Sequence, residues 1–447
     1  MADLSKIQPL GLNRLGAVQM KEKLGSGELT SEAIVLDCLE RIKARDGRIG
    51  AWKFIDPDYA LRQAVALDNM PNKGLLHGIP IGIKDNLDTI DMPTEYGTSF
   101  YPDFQPTKDS ATVAAIRDAG AVILGKTITS EFAGPYPGPT LNPHDTSRSP
   151  GVSSMGSAAG VADYMIPLAN GTQTGGSVIR PAALCGVYGY KASFNHLDAT
   201  GIRHLKKSID TLGHFARSLD DLELLRCVLT GTTFEPLNSG DAKNPRIGIC
   251  KTDQWHAAKP ETIKMIEACH SLLNTSGSTV DEIELPASFS KLMERSYDVI
   301  RLKEYLGAHG NDIEHHYEKF NPWFKGALKQ ARKFNQNDYI EALEEAESVR
   351  MELRIIFKDV DILITASALG EAPKDLTNIE NHNFNYLWTL IYTPCVNIPA
   401  FNGPNNLPIG LQIVGPQDQD RRTLEISGWV DQTIANYYDM YPVSLYQ

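Results

Sequence analysis

Between residues 149 and 190 only Asp163 and Arg180 carry charge, in a chain of 447 residues of which 22% are charged. So long a span with so little charge has nothing to hold it in water, so any fold of this chain must bury it. The span is not apolar, because Ser153, Ser154, Ser157, Thr172, Gln173, Thr174 and Ser177 stand among its glycines. Its polarity therefore comes from hydroxyls and backbone amides rather than from ions. The small residues of SSMGSAAG let helices approach closely, and Ser157, Ala158 and Ala159 read as packing. The loop GTQTGGS resists that explanation, because adjacent Gly175 and Gly176 permit backbone conformations closed to other residues. Successive amide N–H groups turned to one side make an anion cradle. Ser177 ends that cradle where the helical pattern VIRPAALC begins, an arrangement that suits a nucleophile beside an oxyanion hole. The pattern is not the G-x-S-x-G elbow, which disfavours an α/β-hydrolase.

A serine nucleophile needs a base, and the charge-poor span contains no histidine. In GIPIGIKDN the isoleucines Ile79, Ile81 and Ile83 alternate with Pro80, Gly82 and Lys84, so a strand would set Lys84 on a face lined by small residues. A lysine ending such a strand either snorkels to water or is buried for chemistry.

Along the chain, short β-like runs (GIPIGIK, AVILGKT, MIPLANG, GVYGYKAS) alternate with helical ones up to about residue 235, which predicts an α/β sheet covered on both faces. Before them, GELTSEAIVLDCLERIKARDG reads as a helix capped by Thr30 or Ser31, with Ile34, Val35, Cys38, Leu39 and Ile42 as its apolar stripe. From about residue 240 to 355 a strand, RIGIC, gives way to long amphipathic helical patterns, and strands return at DILITAS, PCVNIPAF and PIGLQIVG. Two motif matches carry no chemistry. GAVILGKT fits the P-loop spacing, but Ala121 to Leu124 look like the strand itself, and SFSK at 288–291 lies in helical sequence without S-D-N or K-T-G elsewhere.

A formal charge of −12 opposes a nucleic-acid or anionic-membrane partner. No apolar run is long enough to span a bilayer, and MADLSKIQPL lacks the features of a signal peptide, so the chain is expected to be cytoplasmic. The six cysteines are scattered without C-x-x-C, and the histidines offer no H-E-x-x-H, so reduced thiols and no metal site are expected.

The stretch PGVSSMGSAAGVADYMIPLANGTQTGGSVIRPAALCGVYGYKAS resembles the signature of the amidase signature family of serine hydrolases across its whole length, and GIPIGIKDN resembles that family's lysine motif. GELTSEAIV, GKTITSEFA, SIDTLGHFARSLDD and TPCVNIPAFNGPNNLPIGLQIVGP extend the likeness over nearly the whole chain. The resemblance implies an amidase-signature fold, a large mixed twisted sheet with helices on both faces. It also implies a single amidase domain over residues 1–447, with an individual, mostly helical region at about 255–350. By position, Lys84 would be the base, Ser153 the bridging serine with a cis peptide bond before it, and Ser177 the acylated nucleophile. Ser177 follows Ser153 by 24 residues, the family's spacing. The backbone of Thr174, Gly175, Gly176 and Ser177 would form the oxyanion hole, with Ser154 and Arg180 in support. Val152, Met155 and Gln173 depart from the family's usual glycine, glycine and aspartate, and leave the branch of the family open.

What the resemblance implies is an amidohydrolase, free of cofactor, that cleaves a small-molecule amide through an acyl-enzyme, with a homodimer as the assembly to test. The loop at 133–141, with Tyr136 as a pocket residue, and the individual helical region would set the acyl group; their aromatics suggest an aryl or other apolar amide. Carbamates, hydrazides and urea derivatives offer Ser177 the same carbonyl. The rival within the family is the A-type component of an amidotransferase that works on aminoacyl-tRNA. A lyase forming a Schiff base on Lys84 is the rival of another class, and a catalytically dead binding protein is disfavoured by retention of all three triad positions.

Overall fold

The computed structural model describes residues 11–72, 74–203, 206–377 and 384–437; the opening segment MADLSKIQPL lies outside them. Eleven strands run through it: β1 Trp52–Ile55, β2 Pro80–Lys84, β3 Val122–Thr127, β4 Leu168–Gln173, β5 Tyr188–Lys191, β6 Thr211–Ala216, β7 Arg246–Ile249, β8 Thr279–Glu282, β9 Ile362–Ala366, β10 Cys395–Asn402 and β11 Pro408–Val414. They form one mixed sheet in the order β1-β3-β2-β4-β6-β5-β10-β11-β9-β7-β8. Every residue of β2, β3, β4, β6, β9 and β11 is buried. Because successive side chains point to opposite faces, both faces of these strands are covered, as the sequence pattern predicts. The helix Ser31–Ile49 has the expected cap, the Thr30 side chain accepting from the Ala33 N–H, and buries Ile34, Val35, Cys38 and Ile42.

Strand β2 lies between β3 and β4 and is parallel to both. The carboxyl ends of β2 and β4 therefore emerge at one edge of the sheet, where open α/β sheets place their ligands. Lys84 ends β2 there, and the Gly-Gly-Ser loop follows β4 there.

The boundary of β4 departs from the sequence pattern, which assigns a strand to MIPLANG and a loop to GTQTGGS. Gly171, Thr172 and Gln173 belong to the strand, because they pair antiparallel with Gly213, Leu212 and Thr211 of β6, a partner about forty residues on that no local pattern reveals. The mostly helical region likewise contains an unanticipated strand, β8. Of its four residues only Val280 is buried, so its sequence carries no alternation. GAVILGKT supplies β3, and its lysine is spent inside the fold: Lys126 Nζ donates to the Leu87 carbonyl at 3.0 Å and pairs with Asp85 at 3.4 Å. SFSK falls in the helix Ala287–Lys291.

Residues 149–190 are buried apart from Tyr164, Gly186 and Tyr188. The helix Met155–Ala162 lies on the sheet at close range because its residues are small: a Cβ on Gly156 would come within 2.3 Å of the Ala51 carbonyl. The Ser157 hydroxyl meets Thr127 Oγ1 at 2.7 Å, which makes it a packing residue, as expected. All six cysteines are buried and unpaired.

Candidate active site

Lys84 is fully buried, so it does not snorkel. Its Nζ lies 3.0 Å from Ser153 Oγ, 2.9 Å from Ser154 Oγ and 2.9 Å from Thr172 Oγ1, with the Thr172 carbonyl at 3.4 Å. No carboxylate contacts it among the described residues. Burial holds its pKa well below the usual lysine value, the positive charge of Lys206 lowers it further, and Asp210 opposes them. Two other buried lysines have different surroundings. Lys126 pairs with Asp85, and Lys191 Nζ reaches the carbonyls of Ala192, at 2.7 Å, and Thr393. Lys126 also meets one hydroxyl, that of Thr94, but the Asp85 carboxylate beside it favours the charged ammonium, which has no lone pair for a proton. Lys191 meets carbonyls, which have no proton to give, so of the three Lys84, with hydroxyls and no carboxylate, is the one placed to receive one.

Ser154 Oγ has the Thr172 carbonyl at 3.3 Å to donate to, which leaves it an acceptor toward Lys84. Thr172 Oγ1 accepts from Asn86 Nδ2 at 3.0 Å, and Asn170 Oδ1 accepts from the Lys84 backbone N–H at 2.9 Å. Sequence reasoning missed Thr172, Asn86 and Asn170. The available signal was the alternation of Asn170 and Thr172 along β4. The peptide bond between Val152 and Ser153 is cis, as the resemblance implied.

The Thr174–Ser177 loop holds its backbone donors open. The N–H groups of Gly175, Gly176 and Ser177 bond to no other described residue, while those of Val178 and Ile179 are taken by Gln173 Oε1 at 2.8 and 3.1 Å. Neither glycine adopts a positive φ, so left-handed freedom is not what the loop uses. Gly175 is needed for space: a Cβ there would sit 2.2 Å from Tyr386 Cε1. Thr174 Oγ1 is tied to Asp210 at 2.5 Å, and Asp210 pairs with Lys206 at 3.1 Å.

Ser177, together with Thr174, Gly175, Gly176, Val152 and Arg180, lines a small cavity of about 20 Å³. Val152 places this cavity one peptide from Ser153, although no hydrogen bond joins Ser153 to Ser177. Tyr297, Tyr305 and Tyr386 wall it, the first and last stacked 4.8 Å apart. An outer cavity of about 360 Å³ includes Trp323 in its lining and shares Pro135, Tyr297, Arg301 and Tyr386 with the inner one. Tyr136 lies at the surface, 36% exposed and outside both linings; its neighbour Pro135 occupies the position expected of it. Among the described residues no group of His, Cys, Asp and Glu converges as a metal would require.

The three departures from the family pattern have distinct places. Val152 lines the inner cavity, Met155 is buried with its sulfur filling the space a Cβ on Gly138 would need, and Gln173 caps the helix Ile179–Cys185 while donating to Thr389 Oγ1 at 2.9 Å. Gln173→Leu would orphan two buried N–H groups, and is expected to cost about 2 to 4 kcal/mol. Urea unfolding checks this as a lower midpoint at unchanged slope, and an unchanged midpoint would mean the cap contributes nothing.

The chain is 28% identical to the putative amidase AmiD of Mycobacterium bovis, with 96% of each chain covered. It is 26% identical to the A-type component of glutamyl-tRNA(Gln) amidotransferase from Natranaerobius thermophilus, over 95% of this chain and 96% of that one. The solved peptide amidase from Stenotrophomonas maltophilia superposes with a TM-score of 0.82 at 26% identity, covering 95% of this chain and 98% of that one. The Amidase family profile matches residues 33–424, and with a match of that extent the chain belongs to the amidase family of C–N hydrolases.

Proposed function

We propose that this chain is a cytoplasmic amidase that hydrolyses a small-molecule amide through an acyl-enzyme on Ser177. One observation carries the reading: Ser177 opens to a cavity beside backbone amides without acceptors among the described residues, and Ser153, adjacent to that cavity's Val152, is held by a buried lysine whose side-chain partners are hydroxyls. Ser177 Oγ attacks the substrate carbonyl as its proton passes to Ser153 Oγ and the Ser153 proton to neutral Lys84. The resulting oxyanion is met by the N–H groups of Gly175, Gly176 and Ser177. Collapse breaks the C–N bond, and the proton returns through Ser153 to the leaving amine. Water then attacks the ester by the same relay, releasing the acid and restoring Ser177. The Ser153–Ser177 link forms when substrate is bound, as catalytic hydrogen bonds often tighten only then.

The three tyrosines around Ser177 favour a flat or apolar group beside the carbonyl. A fluorophosphonate probe followed by peptide mass spectrometry tests the nucleophile, and a panel of anilides, aliphatic amides, carbamates and hydrazides tests the substrate class. Activity is expected to survive exhaustive EDTA treatment without loss; a loss restored by zinc would overturn this account of the site. The amidotransferase relatives support a second reading, in which glutamine is the amide and the ammonia passes to partner proteins. Glutamine turnover that appears only with such partners would favour it.

A further inference from the structure

The sign of charge changes between the two cavities. The outer one is lined by Asp253, Glu294 and Asp298 against a single arginine, Arg301. In the inner one, around Ser177, the charged lining residues are Arg180 and Arg301, with no carboxylate. Arg301 stands where the two meet. Its guanidinium is held over two rings, 5.4 Å from the centre of Tyr297 and 5.7 Å from that of Trp323. Its Nη2 donates to Asp298, whose side chain is 51% exposed and so shares its charge with water. Its Nε is buried and has no hydrogen-bond partner among the described residues.

A guanidinium keeps its charge at every working pH, so a buried N–H on it without an acceptor is a standing cost that a ligand's acceptor would relieve. The acceptor that best matches an arginine fork is a carboxylate. We propose that Arg301 is a specificity residue, and that the amide cleaved here carries a carboxylate on its acyl side, seated on Arg301 Nε while the carbonyl lies at Ser177. This inference rests on the amidase reading and adds the class of acyl group. Arg301 positions the substrate and takes no part in proton transfer.

The test uses matched pairs of 4-nitroanilides: the mono-anilides of succinic and glutaric acid against butyryl and valeryl anilides, in which a methyl replaces the carboxylate. Wild type is expected to favour the acids at least tenfold in kcat/KM, mainly through KM. Arg301→Gln should reduce that preference at least tenfold, and Arg301→Lys should restore part of it. A merely structural arginine would lower both members of each pair alike, and that result, or no preference in wild type, overturns the proposal. Calorimetric titration of the same pairs into Ser177→Ala protein gives an answer independent of turnover: tighter binding of the acids, lost when Arg301→Gln is added, supports it, and equal binding sinks it. Failure of the amidase reading shows separately, as no fluorophosphonate label on Ser177 and no cleavage of any anilide. In that event the same titrations, made into wild type and Arg301→Gln, still decide the role of Arg301.

Discussion

Ser177→Ala is expected to lower kcat by roughly four to six orders of magnitude with the fold intact, as loss of a serine nucleophile does elsewhere. Ser177 is 9% exposed and lines the cavity, whereas Ser153 and Ser154 are wholly buried and engaged by Lys84. An electrophile entering the cavity therefore meets the Ser177 hydroxyl. The substitution removes one hydroxyl that bonds to no side chain among the described residues, so thermal unfolding should stay within about a degree or two of wild type. The measurements are single-turnover cleavage of the best anilide and fluorophosphonate labelling of both proteins. Labelling of Ser177→Ala at the wild-type rate would remove Ser177 from the mechanism.

Lys84→Ala is expected to cost two to four orders of magnitude, the range for loss of a general base. Lys84→Arg should not recover the activity, because a guanidinium stays protonated and cannot accept the Ser153 proton. The pH dependence follows from the direction of the shift. A solvated lysine titrates near 10.4, so at pH 7 only about one molecule in several thousand would hold it neutral. Burial, helped by Lys206, lowers the Lys84 pKa, and the base is present above that lowered pKa and lost as pH falls through it. Acylation should therefore rise with pH along one ionisation lying well below that of free lysine, and then level off. Single-turnover acylation against pH for wild type and both variants checks this. An active Lys84→Arg enzyme would make position 84 a source of charge only. His144 and His196 would then be the remaining candidates, but His144 Nε2 is committed to the Cys185 carbonyl at 2.7 Å and His196 sits 3.6 Å from Asp420. Neither lines the cavity at Ser177.

The sequence alone marked the buried span at 149–190, the strand that ends in Lys84 and the loop that ends in Ser177. Those features are local, because an absence of charge, a period-two run and a glycine pair are each visible within a few residues. The resemblance then singled out Ser153 among the neighbouring hydroxyls. Tyr136 shows the limit of such reading: an aromatic in the right loop faces the surface, while Pro135 beside it lines both cavities. Arg301 carried no signal, since a charged residue in an amphipathic helix reads as a solvated one.

Sequence by itself determined that this chain builds a covered α/β sheet with a hydroxyl-rich, charge-poor interior, because burial and periodicity are written into neighbouring residues. Only the tertiary structure decided what each buried group can do. Lys84, Lys126 and Lys191 all lie in strands and are all fully buried. They differ in what distant segments bring to them: a carboxylate with one hydroxyl to Lys126, carbonyls to Lys191, and three hydroxyls without a carboxylate to Lys84 from the turn at 153–154 and from β4. The capacity to take a proton depends on those partners and on the exclusion of water, and both arise from contacts between residues far apart in the chain.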